Sequence, residues 1–173
     1  RCFSLDNLEA FDVRLMNTKH MFLFPQSMTY NTHHFQRCIA TLQLSVQMLK
    51  SSKPDSTQYE VYRNAVIKGF ELVLEIAGSL LRKALKSYGG SPKSVDDLSF
   101  KDVFRHAGKH SLLDTDAIAR WFSYRNNRNV VAHDYGEAFA EQTLVLLPGF
   151  IADASHLAVA LNKVFAREAN VGS

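Results

Sequence analysis

Apolar residues recur along this chain at spacings of three and four, with polar residues between them, the pattern of helices that each bury one face. From about Met28 to Lys50 the period is kept by Phe35, Ile39, Leu42, Val46 and Leu49, and Ser51-Ser52-Lys53-Pro54 stops it. The longest pattern runs from about Ser56 to Ser87, through Tyr59, Tyr62, Val66, Phe70, Val73, Leu74, Ala77, Leu80, Leu81 and Leu85. It is the spine of the expected fold. Tyr88-Gly89-Gly90-Ser91-Pro92 ends it, since glycine accepts a left-handed C-cap and proline blocks continuation. A short helix is expected from Ser99, where Ser99-Phe100-Lys101-Asp102 has capping-box spacing, to near Gly108. Asp114-Thr115-Asp116 caps a helix over about 117–131, which Gly136 ends.

A last helical region spans about 137–169 and is expected to be interrupted or kinked at Pro148-Gly149. Before all of these, Leu5, Leu8, Leu15 and Met16 form a broken helical pattern over 4–20, with Ser4 placed to cap it and Pro25-Gln26-Ser27 as a connector. Little alternates with period two. The expected class is all-α, an antiparallel bundle of about five helices over residues 28–170, preceded by an N-terminal extension over 1–27.

Composition changes this picture little. A chain of 173 residues, 46% hydrophobic and 21% charged, is long enough for one domain with a full core. Its net charge of +3 permits an anionic partner without requiring one. Cys2 and Cys38 form no metal or disulfide pattern, Asp6, Glu9 and Asp12 precede the short apolar run Met21-Phe22-Leu23-Phe24, and no uninterrupted apolar run approaches a membrane span. A soluble, cytoplasmic protein is expected.

Candidate chemistry concentrates in one place. The stretch Trp121 to Tyr135 is basic, amide-rich and aromatic, and between Ala117 and His133 Arg120, Arg125 and Arg128 occur without an acid. At 100° per residue Arg125, Asn129 and His133 fall within an arc of about 80°, while Arg128 sits about 140° from His133. Arg128 and His133 converge only if the arginine reaches round, the helix loosens, or a second subunit completes the site. Histidine with arginine and no metal suits phosphodiester chemistry on RNA: histidine moves the 2′-hydroxyl proton near neutral pH and arginine stabilises the phosphorane charge. The blander alternative pairs Arg128 with Asp134 or Glu71. Other groupings read as structural: Glu71 and Glu75 as salt-bridge partners for Arg63 and Lys68, His33-His34 as an exposed pair, and His106 and His110 as surface histidines. Trp121 and Phe122 read as core.

The segment Arg128-Asn129-Val130-Val131-Ala132-His133-Asp134-Tyr135 resembles the Arg-x4-His-x-Tyr motif of the HEPN family, in its nucleotidyltransferase substrate-binding branch. Tyr62 to Glu75 is similar to the long second-helix signature of that branch, and Ser91-Pro92 and Leu147 to Ala154 extend the likeness over roughly residues 35–165. Gly69 and Gly78 stand where the branch often has larger residues, and read as sites of close helix approach or kinking. The resemblance implies a helical bundle that forms a homodimer with two Arg-His motifs facing one cleft. It further implies a metal-independent, cofactor-free endoribonuclease, the toxin of a type VII-like toxin–antitoxin pair, whose partner antitoxin is a minimal nucleotidyltransferase. Carried over residue by residue, Arg128 and His133 are catalytic and Asn129 supports them. Tyr135 accepts AMP from the partner, and Arg125 and Arg120 are candidates for RNA or phosphate contact. The competing expectation is a non-catalytic subunit of a nucleotidyltransferase complex that binds nucleotide through Arg128 and Arg125.

Overall fold

The structure is a computed structural model that describes residues 32–89, 92–131 and 137–171. Helices account for nearly all of it: α1 (Thr32–Ser51), α2 (Thr57–Lys86), α3 (Pro92–Asp96), α4 (Phe100–Lys109), α5 (Thr115–Val131) and α6 (Glu137–Val171). The expected helix over 4–20, and the extension that contains it, lie outside the described residues.

Local chemistry sets the boundaries. Ser56 Oγ accepts from Tyr59 N at 3.1 Å to open α2, and Ser99 Oγ accepts from Asp102 N at 3.2 Å to open α4. At the far end of α2, Ser87 N and Tyr88 N donate back to Ala84 and Leu85, and Gly89 takes the positive φ of 92° that turns the chain away. The sequence reading of a plain stop at Ser91-Pro92 missed α3. Proline at the first helical position loses no hydrogen bond, so the residue that ends one helix opens the next.

Pairwise contacts give the directions. Leu42 lies against Gly69, and Leu49 and Tyr59 line one pocket, so α1 runs antiparallel to α2. The Thr32 hydroxyl donates to Asn162 Oδ1 while Leu49 and Leu147 share that pocket, so α1 also opposes α6. Asn127 meets Thr143, and Arg120 meets Asp153, so α5 opposes α6. The core fills the space between these helices: Phe35, Leu42, Phe70, Leu74, Leu81, Phe104, Trp121, Leu147, Phe150, Leu157 and Leu161 are all almost wholly buried. Gly69 serves the close approach. A Cβ there would stand 3.1 Å from Leu42 Cδ1, so the missing side chain lets α1 and α2 close up without breaking α2.

Two expectations about α6 need correction. Of the interruption or kink expected at Pro148-Gly149, the interruption is absent, since α6 is one continuous helix with Pro148 inside it. Pro148 is exposed, and burial of Leu147 and Phe150 on either side holds the helix together. Second, Thr143–Asn170 is long and apolar enough by length and composition to cross a membrane, although no uninterrupted apolar run suggested it. In this fold that stretch packs against α1, α2 and α5, and it carries the ion-paired Asp153.

Candidate functional site on the fifth helix

Asp114 starts α5. Its carboxylate accepts from Ala117 N at 2.6 Å and its carbonyl from Ile118 N at 3.0 Å. Ala117, Trp121 and Tyr124 then face inward at helical spacing and are buried. Trp121 packs on Phe104 and Phe150 at ring-centroid distances of 5.0 and 5.6 Å, which makes it core as its sequence position suggested. Phe122 is half-buried, with Lys101 and Arg105 of α4 over its ring.

The three arginines of α5 have three different settings. Arg120 grips Asp153 of α6 with two parallel bonds, Nε to Oδ2 at 2.8 Å and Nη2 to Oδ1 at 2.7 Å. Tyr124 OH donates to the same Oδ2 at 2.8 Å. Burial alone would raise the Asp153 carboxyl, but the hydrogen bonds from Arg120 and Tyr124 and the charge of Arg120 outweigh it and hold Asp153 below the ordinary carboxylate value. Burial of the phenol, then its bond to that carboxylate, pushes Tyr124 well above an ordinary tyrosine. The Arg120 guanidinium is thus committed to joining α5 to α6, and a phosphate there would have to displace a buried carboxylate.

Arg125 lies over the Phe100 ring, 4.9 Å from its centroid, in a cation–π contact with the start of α4. Asn127 Nδ2 donates to the buried Thr143 Oγ1 at 3.0 Å and fixes the α5 end to α6. Arg128 reaches α2, where Nη2 stands 3.3 Å from Glu75 Oε1, a long contact between side chains that are 31% and 57% exposed. Asn129, next to it, is exposed. His133 and Tyr135 lie outside the described residues, so the structure brings Arg128, Asn129 and Arg125 to one end of α5 and leaves the rest of the motif unplaced.

The remaining groupings are structural. Glu71 takes Lys68 at 2.8 Å and Arg63 takes Glu60, so of the expected partners only Lys68 pairs as read. His33 and His34 are exposed, and His110 stacks on Tyr88 at 4.2 Å. Among the described residues no three His, Cys, Asp or Glu side chains are placed to hold a metal ion.

Sequence reasoning missed Asp153 as the partner of Arg120, and named Glu71 or Asp134 where Glu75 holds Arg128. A signal for Asp153 existed: it is the one acid between core positions Phe150 and Leu157, and an acid on a buried face needs a cation. Glu75 is four residues from Glu71 on the same face, and nothing in the helical period separates them.

Known proteins share both the sequence pattern and the helical arrangement. A family model described as nucleotidyltransferase substrate binding protein like matches residues 30–163. Over 116 residues the chain is 24% identical to a Haemophilus influenzae protein described as a probable ribonuclease HepT, covering 67% of this chain and 77% of that protein. A solved Haemophilus influenzae structure, described as the fold of a substrate binding domain of a nucleotidyltransferase, superposes with a TM-score of 0.66 at 20% identity, covering 76% of this chain and 98% of the other. A Thermus thermophilus structure superposes with a TM-score of 0.57 at 23% identity, covering 73% of this chain and 98% of the other.

Proposed function

We propose that this chain, which belongs to the nucleotidyltransferase substrate binding protein like family of HEPN helical bundles, is a metal-independent endoribonuclease of the toxin type. The observation that carries the reading is the contrast between two arginines on one helix. Arg120 is locked to a buried carboxylate at 2.7 and 2.8 Å, whereas Arg128, five residues before His133 in the sequence, is held only at 3.3 Å by an exposed glutamate among the described residues. An arginine whose pairing is worth about 0–1 kcal/mol is free to exchange that carboxylate for a phosphate.

In this mechanism His133 removes the proton of a ribose 2′-hydroxyl, and the resulting oxygen attacks the adjacent phosphorus. Arg128 stabilises the charge on the phosphorane. The 5′-oxygen of the next nucleotide leaves and takes up a proton, giving a 2′,3′-cyclic phosphate and a free 5′-hydroxyl. Asn129 supports the pair, and a homodimer supplies two motifs to one cleft. A partner nucleotidyltransferase acts as antitoxin by moving AMP from ATP onto Tyr135, which places bulk and negative charge beside the RNA phosphate.

Expression of the chain alone, beside His133→Ala, tests the nuclease: slowed growth and fragmented cellular RNA are expected only with the unaltered chain. Equal growth and intact RNA in both would sink the claim. Intact-mass measurement after co-expression with the partner is expected to show AMP additions that Tyr135→Phe abolishes. Nucleotide binding that survives His133→Ala but fails in Arg128→Ala, without RNA cleavage, would make the chain a non-catalytic substrate-binding subunit instead.

A further inference from the structure

We infer that the groove between α4 and α5 is a second contact for single-stranded RNA, holding nucleotides that flank the scissile phosphate; this rests on the ribonuclease reading above. The basic charge of the chain is not spread evenly. Residues 82–110 carry seven Lys or Arg and three Asp, a net +4 against +3 for the whole chain, so the rest of the molecule is slightly acidic. Lys101 and Arg105 of this segment stand over the Phe122 ring of α5 at 5.9 and 5.6 Å, and Arg125 stands over Phe100 of α4 at 4.9 Å. Three cations from two helices thus line one seam, each beside an aromatic ring.

Arg105 and Phe122 also line an open groove of about 770 Å³, together with Gly108, Leu113 and Ile118. Of the acids nearby, Asp102 is bound by Arg105 at 3.0 Å, and Asp114, which lines the groove, turns one carboxylate oxygen to its own helix, where it accepts from Ala117 N. A groove with apolar lining residues and Arg105 in its wall, beside Lys101 on the shared Phe122 ring, fits an unpaired base with its phosphate outside, more closely than it fits a duplex, whose bases are covered.

The seam is continuous with the proposed site. At 100° per residue Phe122, Arg125 and Asn129 lie within about 60° of one another on α5. From Phe122 to Asn129 the helix rises about 10 Å, the span of roughly three stacked nucleotides at about 3.4 Å each. An RNA strand leaving the Arg128 end of α5 would meet Asn129, then Arg125, then the pair Lys101 and Arg105.

The test is fluorescence anisotropy of a labelled single-stranded 2′-methoxy oligonucleotide, which lacks the attacking hydroxyl, titrated with the full chain over a range of salt. On a single strand each phosphate contact contributes about −0.7 to the slope of log affinity against log salt, so Lys101→Ala/Arg105→Ala is expected to make the slope shallower by about 1.4. Lys163→Ala/Arg167→Ala, the same charge loss at exposed positions of α6, is expected to leave it unchanged. Equal effects from both pairs, no effect from either, or no binding by the unaltered chain overturns the proposal. So does a selective loss of polyglutamate binding by Lys101→Ala/Arg105→Ala, which would assign the groove to an acidic protein. Cleavage is read separately on an all-ribose strand. Absence of cleavage with a slope that still depends on Lys101 and Arg105 removes the ribonuclease reading and leaves the groove; cleavage with binding indifferent to them does the reverse.

Discussion

Removing Arg120 should harm the fold more than removing the charge of its partner. Asp153 is 7% exposed at its side chain and Arg120 is 47% exposed, so the two ends of the pair differ in their access to water. Arg120→Leu leaves a buried carboxylate with Tyr124 OH as its remaining donor. Loss of one partner of a buried pair costs about 3–5 kcal/mol, and the half-exposed arginine places this case near the low end, about 3 kcal/mol. Asp153→Asn keeps an acceptor for Tyr124 and leaves a guanidinium that water can reach, at a cost of about 2 kcal/mol. The double variant Arg120→Leu/Asp153→Asn leaves no buried charge at this pair, so the second change is expected to restore about 1 kcal/mol of what the first removed. Urea unfolding followed by far-ultraviolet circular dichroism measures all three. Because the Asp153 carboxyl titrates below its ordinary 3.8 in the fold, its contribution is complete above about pH 4 and disappears as pH falls through the lowered value. Asp153→Asn should therefore flatten the acid limb of the stability profile. A double variant that loses the sum of the two single losses would refute the reasoning, because rescue follows only if the stranded carboxylate is what makes Arg120→Leu costly.

Other substitutions probe separate parts. Glu75→Gln is expected to leave stability within about 0.5 kcal/mol, since both partners are partly exposed. The same change should tighten 2′-methoxy oligonucleotide binding, and an unchanged affinity would mean that Arg128 does not meet phosphate. Gly108→Ala places a Cβ 2.5 Å from Ile118 Cδ1 and is expected to cost about 1–3 kcal/mol in a thermal melt. Ile118→Val removes that methyl and should recover part of the loss. Pro148→Ala supplies the missing N–H to an exposed turn of α6 and is expected to raise the unfolding midpoint in urea. A lowered midpoint would show that the proline is not strained there.

How much was legible beforehand depends on how local each determinant is. Buried stripes such as Phe35 to Leu49 and Val66 to Leu85 repeat every three to four residues, so α1 and α2 follow from period alone. Ser99 and Asp114 act within three residues, which is why their caps were readable. The Pro148 break failed because a local penalty was outweighed by packing of Leu147 and Phe150 against other helices, information that no short window contains. Site partners are non-local in the same sense. Arg128 meets Glu75 across 53 positions of sequence and Arg120 meets Asp153 across 33, so residue type suggested that each arginine needs an acid without saying which one.

The contact between Thr32 and Asn162 has a practical consequence for handling the molecule. Asn127 at the other end of α5 faces Thr143, and Thr143 to Asn162 is a rise of about 28 Å along α6. A fluorophore or surface tether fixed near Asn162 would stand a helix length from Arg128. Immobilisation through that end presents the arginine to free solution, and an optical reporter there can register ligand capture without shading it.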